Sequence, residues 1–311
     1  MKKLITLFVL LALCICVRAQ KKDTVKTVSS ADSLMNSLSA DDDKHQKTLA
    51  TFSATRLIFS PTTETVKKNN LNFLVIHRFG DVGTPTGGPR TFFGLDAVND
   101  VYIGFEYGIT DNLQVMVGRS TIGQIGETQL KYAILHQTSD NSSPLGITLL
   151  GGEGIRPYGS FGSFSDRLSY IGEAIFSRKF SSALSLEVLP IFVQNNQQIP
   201  DLPGNEQGFF SLAAAGRLKV TKHMSLLVDY EHPFSNYSTK ANGFEDPLGF
   251  GAEFETGGHV FTLNITNARA VSQINTLSAS QASYGNGQFR FGFTISRMFD
   301  FNHKKDTEKK W

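Results

Sequence analysis

Eleven ionisable residues recur on one phase of short alternating segments. Arg78, Lys131, Arg217, Lys219 and Arg290 stand against Glu106, Glu173, Glu187, Asp229, Glu231 and Glu253. Five cations among six anions suit cross-wall ion pairs in a polar interior better than a strongly charge-selective pore. Arg78 and Glu106 draw the eye, because neighbouring strands would bring them together as a constriction, a ligand contact or a structural ion pair. Other chemistries are poorly supplied. The seven histidines are scattered, and none stands at metal-ligand spacing from another His or a Cys, so no metal site is expected. Gly83 to Gly88 is turn-like, with no strand and helix around it to cradle a phosphate. No cofactor is expected. His77 and His232 fall near one rim, where a Ser–His–acid hydrolase acting on lipid would need them. A strand-end histidine at a membrane interface explains both more simply, so the chain reads as a non-enzyme.

The elements that must hold these charges are strands. From Leu71 onward, short runs alternate apolar and polar residues between turn-rich stretches. Val101, Ile103, Phe105 and Tyr107 alternate with Tyr102, Gly104, Glu106 and Gly108, and Leu130, Tyr132 and Ile134 alternate with Gln129, Lys131 and Ala133. Phe289, Phe291, Phe293 and Ile295 close the series against Arg290, Gly292, Thr294 and Ser296. Counting Leu71–Phe79, Leu113–Val117, a weaker run at Ile147–Ile155, Leu168–Phe176, Leu184–Phe192, Phe210–Val220, Met224–His232, Leu248–Phe254 and Val260–Asn267 predicts about twelve strands. The even number suits a single-chain bacterial barrel. Residues 52–70 form a transition, in which Phe52 to Phe59 is either an extra strand or a plug piece.

The connections alternate in length. Residues 80–100, 156–167, 193–209, 233–247 and 268–288 are long, whereas 109–112, 177–183, 221–223 and 255–259 are short. Residues 121–128 count with the longer set and 138–144 as moderate. A soluble sandwich has no reason for this alternation; an outer-membrane barrel has short periplasmic turns and long outer loops. The predicted architecture is therefore all-β, an antiparallel transmembrane barrel with both chain ends in the periplasm. Its outward phase (Val101, Ile103, Phe105, Leu113, Val115, Leu186, Val188, Leu226, Val228, Phe250, Leu263, Phe291 and Phe293) is apolar, as contact with membrane lipid requires. Phe79, Tyr107, Phe192, Tyr230, Phe254 and Phe299 near strand ends fit aromatic girdles. Arg297, His77 and His136 are polar outward residues, each close to a strand end.

The termini read as targeting and tail. Lys2 and Lys3, an apolar run from Leu4 to Val17, and Val17-Arg18-Ala19 mark residues 1–19 as a cleaved signal peptide. Cys14 and Cys16 both lie in it. Without its three basic residues the chain has 27 basic against 28 acidic residues, a formal charge of −1, which offers nothing to nucleic acid. Residues 20–51 are polar and charged, a flexible periplasmic segment. The barrel spans 52–301, and 302–311 form a charged C-terminal tail.

Several short motifs carry a family resemblance: Thr55-Arg56, Thr63-Glu64-Thr65, Ile76-His77-Arg78-Phe79-Gly80, Phe93-Gly94-Leu95-Asp96, Phe105-Glu106-Tyr107-Gly108-Ile109-Thr110-Asp111 and Gly118-Arg119-Ser120. Through them the chain resembles an uncharacterised family of outer-membrane β-barrels of Bacteroidetes-type bacteria, a domain of unknown function. The resemblance covers roughly 52–301 and implies a membrane barrel in a Gram-negative cell, with no substrate or reaction attached. Three roles stay open at this point: a narrow channel or binding barrel for a small solute, a closed barrel whose outer loops bind a periplasmic or envelope partner, and a lipid-acting enzyme.

Overall fold

The computed structural model describes residues 51–83, 87–196 and 207–301. The expected leader, the N-terminal segment as far as residue 50 and the tail 302–311 lie outside the described residues. Twelve strands form: β1 (Asn70–Phe79), β2 (Val98–Gly108), β3 (Leu113–Ser120), β4 (Gly126–Leu135), β5 (Gly146–Ile155) and β6 (Leu168–Lys179). They continue as β7 (Leu184–Asn195), β8 (Gly208–Lys219), β9 (Met224–Phe234), β10 (Leu248–Thr256), β11 (His259–Thr266) and β12 (Arg290–Asp300). Each pairs antiparallel with its chain neighbours, and β1 also pairs with β12, so the sheet closes into a barrel. Closure leaves no open strand edge, so the ladder satisfies the backbone of every strand within the sheet.

Alternation decides which side chains face lipid. On β9, Leu226, Val228 and Tyr230 are exposed while Leu227, Asp229 and Glu231 are buried. The same two-residue period runs through β2, β4 and β7. Phe192, Phe210 and Phe234 stand side by side in register at the outer end of β7 to β9. Tyr132, Phe180 and Phe301 stand exposed toward the other end. Arg119 and Glu153 also face outward near the outer ends of β3 and β5, two charges that the alternation pattern did not single out.

The long-and-short loop pattern has one exception. β4 begins at Gly126, so residues 121–125 make a tighter connection than the periplasmic 136–145, which reverses the expected order. Asp100 closes this outer turn: its Oδ1 accepts the Thr121 N–H at 2.9 Å, the Thr121 hydroxyl at 2.8 Å and the Ile122 N–H at 3.1 Å.

The interior is not an aqueous bore. Residues 51–68 enter from the barrel end at which β1 begins and β12 finishes, the end expected to face the periplasm, and the stretch from Phe52 to Phe59 is a plug and not a strand. From the outer end, the connection between β11 and β12 folds inward and carries a short helix, α1 (Gln273–Ala279), six of whose residues are buried. Ile274 and Leu277 of α1 join inward-facing Leu150, Ile171, Leu189, Ile191, Val193 and Phe209 in one apolar cluster. The inward phase of β5 to β8 is therefore mixed, apolar toward the outer half and charged deeper in.

The lipid-facing phase yields a direct test. Leu263, near the middle of β11, is 59% exposed. Leu263→Arg is expected to destabilise the barrel by about 2–4 kcal/mol, whereas the lumen-facing change Thr262→Ser should be close to neutral. Urea titration of the barrel folded in phospholipid vesicles, followed by gel mobility, measures both.

Candidate functional site

The plug is a hairpin finger. Its turn is closed by the Leu57 N–H donating to Ser60 O at 2.9 Å, and below it the Thr62 N–H donates to Thr55 O at 2.9 Å. Arg56 and Pro61 form the bridge between the stems. A lone hairpin of this length is marginal in water, so the barrel wall must hold it.

The wall does so through its charged and polar side chains. At the tip, Asp229 Oδ2 accepts the N–H groups of Ile58, Phe59 and Ser60 at 3.2, 2.7 and 2.9 Å, and Oδ1 accepts the Ser60 hydroxyl at 2.7 Å. Successive N–H groups converging on one carboxylate form an anion nest, here occupied by a wall residue. Arg78 donates through Nη2 to Ile58 O at 3.1 Å and packs over the Phe59 ring. Along the stems, Lys131 Nζ donates to Thr55 O and Thr62 O, both at 3.2 Å. Glu106 accepts the Thr55 hydroxyl at 2.6 Å and the Asn72 amide at 2.8 Å. Ser185 donates to Thr51 O at 2.6 Å, and Gln114 accepts the Val66 N–H at 2.8 Å. Phe52, Leu57, Ile58 and Phe59 add an apolar contact with Ala215, Leu227 and Ala268.

The outer loop is fastened in the same manner. Ser272 donates to Glu127 at 2.6 Å, Gln273 to Glu231 at 2.7 Å, and the Val271 N–H to Asp100 at 2.8 Å. Arg156 donates to Asn275 at 2.7 Å and Asn195 to Ser278 at 2.6 Å.

All eleven charges singled out in the sequence lie on the inward phase, and ten of them are buried. Lys219 is half-buried at the periplasmic end of β8. Two expectations about them need correction. Arg78 and Glu106 do not meet: Arg78 is opposite Asp100 and Glu106 is opposite Asn72, six residues apart along β1 or roughly 20 Å. Nor do the charges chiefly pair with one another. Within the set, Arg217 with Glu253 at 2.7 Å is the one ion pair among the described residues. Arg217 also reaches Glu255, and Arg290 pairs with Asp81 from the first outer loop. Arg78, Lys131, Glu106, Asp229 and Glu231 are committed to the finger or the outer loop instead. Glu173 and Glu187 are buried with no hydrogen bond to either carboxylate oxygen among the described residues.

The sequence reading missed Asp100, Glu127, Glu64 and Arg56. Asp100 and Glu127 sit one and two residues before the segments read as strands, and Arg56 and Glu64 belong to a segment without alternation. A cavity of about 660 Å³ opens at the periplasmic mouth around the finger's base, lined by Glu64, Lys67, Lys222, His223, Glu255 and His259 among others. At the outer rim, His232 Nδ1 lies 3.0 Å from Asp246, which also accepts the Tyr230 hydroxyl at 2.5 Å. The Ser211 hydroxyl turns instead to the His232 backbone carbonyl at 2.9 Å. Among the described residues no group of three or more His, Asp or Glu side chains is arranged for a metal ion.

Two outcomes follow for the finger. Asp229→Ala removes a charged acceptor of four hydrogen bonds, each worth about 1.5–3 kcal/mol. It is expected to free the tip and let trypsin cleave after Arg56, which is 5% exposed when docked. Peptide mapping would show it. At the finger's base, burial pushes the Glu64 carboxyl above its ordinary 4.5, although the Phe52 and Thr51 amides pull it down. An acid raised in the folded state binds its proton more tightly there. Its contribution is complete below 4.5 and is lost as pH rises through the raised value. Glu64→Gln should therefore gain thermal stability relative to wild type on raising pH across that window, as melting curves at two pH values would show.

Solved structures with related chain paths include the NanC porin (9% identity, TM-score 0.47, covering 73% of this chain and 98% of that one). The KdgM porin matches at 7% identity and TM-score 0.42, over 75% and 99%. The COG4313 outer membrane channel from Pseudomonas putida F1 matches at 10% and 0.45, over 76% and 98%. No curated protein matches. The family described as a membrane bound beta barrel domain matches residues 52–299, from the start of the finger to the last strand. The chain is a membrane β-barrel and belongs to that family of membrane bound beta barrel domains, DUF5777.

Proposed function

We propose that this protein is a gated barrel for a small polar solute, shut at rest by the finger, and not an enzyme. The observation that carries the reading is how the finger is held. Its backbone is bound by wall side chains, Asp229, Arg78, Lys131 and Glu106, whose hydrogen bonds water or a solute can replace one for one. Both stems return to the periplasmic end, so withdrawal opens no strand pairing. The family match begins at residue 52, so the finger falls within the matched residues. The vestibule at its base gives a solute standing room on the periplasmic side.

Planar-bilayer recordings test the gate. The double variant Ile58→Asp/Phe59→Ser sets a carboxylate against Asp229 and removes the tip's apolar contact. Leu277→Ser, added to it, loosens the outer loop from the apolar cluster. Relative to wild type, the triple variant is expected to raise channel opening by about tenfold or more, the equivalent of about 1.4 kcal/mol. Heat-modifiable gel migration would confirm a folded barrel. Folded variants with the finger out that conduct no more than wild type would rule out the gate.

A second reading has one observation in its favour. Phe92 and Phe93 of the first outer loop are exposed and both hold left-handed backbone, a strained arrangement for phenylalanine. It suits a closed barrel that binds a partner through that loop, and stoichiometric co-purification lost in a Phe92→Ser/Phe93→Ser variant would favour it over the gate.

A further inference from the structure

We infer that the seat of Ile58 is a binding site for an aliphatic α-amino acid, which the finger tip occupies as a built-in surrogate; the inference rests on the gated reading and names its solute. Three features of the seat match the three parts of such a molecule.

The first is the acid. Asp229 is 0% exposed and gathers the N–H groups of three successive residues, Ile58 among them. An α-ammonium in place of the Ile58 N–H would give Asp229 one or two N–H donors and a full positive charge, a charge-assisted contact that the neutral backbone amides lack.

The second is the base. Arg78 donates through Nη2 to Ile58 O, and through Nη1 to Asn264. Its Nε is buried and has no hydrogen-bond partner among the described residues. Nε and Nη2 form the side-on fork of a guanidinium, which fits two carboxylate oxygens together. The peptide carbonyl of Ile58 fills one tine only. A free carboxylate fills both, and satisfies the donor that the finger leaves orphaned.

The third is the pocket. The Ile58 side chain lies against Gly249 and Gly251, inward positions of β10. A Cβ built on Gly249 would stand 2.9 Å from Ile58 Cγ2, and one on Gly251 would stand 3.4 Å from Cδ1. The recess exists because both positions lack a side chain, and it takes a branched aliphatic group.

Asp229 and Arg78 thus hold the N and the O of one residue. The N–Cα–C–O unit of an amino acid has the same span, so no rearrangement of the wall is needed to exchange one for the other. The finger is tethered and competes at high effective concentration; the free amino acid brings the charges that the finger lacks.

The test uses L-isoleucine with two analogues, 3-methylpentanoate, which lacks the ammonium, and 2-methylbutylamine, which lacks the carboxylate. In the full-length Ile58→Asp/Phe59→Ser barrel, trypsin cleavage after Arg56 reports that the seat is vacant. Titration calorimetry in detergent should then show L-isoleucine binding about tenfold or more tightly than either analogue. Asp229→Asn should erase the advantage over 3-methylpentanoate. Gly249→Val should abolish L-isoleucine binding and leave glycine binding in place. Equal affinities for the three compounds in a vacated, folded barrel would overturn the site. Should that variant keep its finger docked, the wild-type barrel serves: L-isoleucine, and neither analogue, should speed cleavage after Arg56, and no acceleration overturns the site. Calorimetry needs no conduction, so the two readings fail separately. Binding without channel opening removes the gate and keeps the site, and channel opening without preference for L-isoleucine does the reverse.

Discussion

Everything in this structure depends on the pairing of β1 with β12. Inside a bilayer an unpaired N–H or C=O costs several kcal/mol, so a sheet can stay there only if it closes. The register from Asn70 opposite Asp300 to Arg78 opposite Gly292 provides that closure. Closure with twelve strands then sets a second problem. A ring of about eight strands is filled by its own side chains, and one of 16–18 leaves a water channel. Twelve falls between, and the excess room is taken by chain from both ends: the finger from the periplasm and α1 from the outside.

Filling a barrel with backbone dictates the chemistry of its wall. The finger brings peptide groups that its short hairpin cannot satisfy alone, and each needs a partner once it leaves water. This is why the inward charges are spent on the finger and loop more than on each other. Asp229 meets N–H groups, Lys131 and Arg78 meet carbonyls, and Glu106 meets a hydroxyl. A buried charge with such partners is tolerated, whereas an unpartnered one is expensive. The outer half solves the same problem differently. There α1 closes part of its backbone within its own turns and offers Ile274 and Leu277, which meet an apolar facing wall on β5 to β8.

How much of this was legible in the sequence follows from what each feature depends on. Strands were readable because alternation is local: β7 and β9 begin at the residues expected, Leu184 and Met224, and extend a few residues past the expected ends. The inward charges were readable for the same reason. Their partners were not, because partnership depends on register. Arg78 and Glu106 share a face on adjacent strands, but antiparallel pairing sends them to opposite ends of β1, and a loop whose exact length is unknown conceals that. The finger was only half-legible. Phe52 to Phe59 has the apolar content of something buried, but no period says against what. α1 was invisible, since Ile274 and Leu277 are too few to mark an apolar stripe in a polar loop.

The glycines of the inward phase connect these points. A water-filled bore has no need of glycine on its lining, yet several inward positions tolerate no Cβ. At Gly108 a Cβ would fall 2.1 Å from Lys67 O, where the finger's stem crosses β2 on its way into β1. At Gly154 it would meet Ile125 and Ile274, the latter from α1, and at Gly249 it would meet Ile58 and Phe59. Each of these glycines is a mould of something that comes inward, and together they span both the finger and the outer loop. The wall is therefore shaped to its contents over its whole depth. A barrel that merely trapped its termini would show charges satisfied by chance and side chains repacked around them. Here the empty positions coincide with the occupied ones, so the wall specifies its filled interior, and the proposed gate would open by movement of the finger and loop, not of the strands.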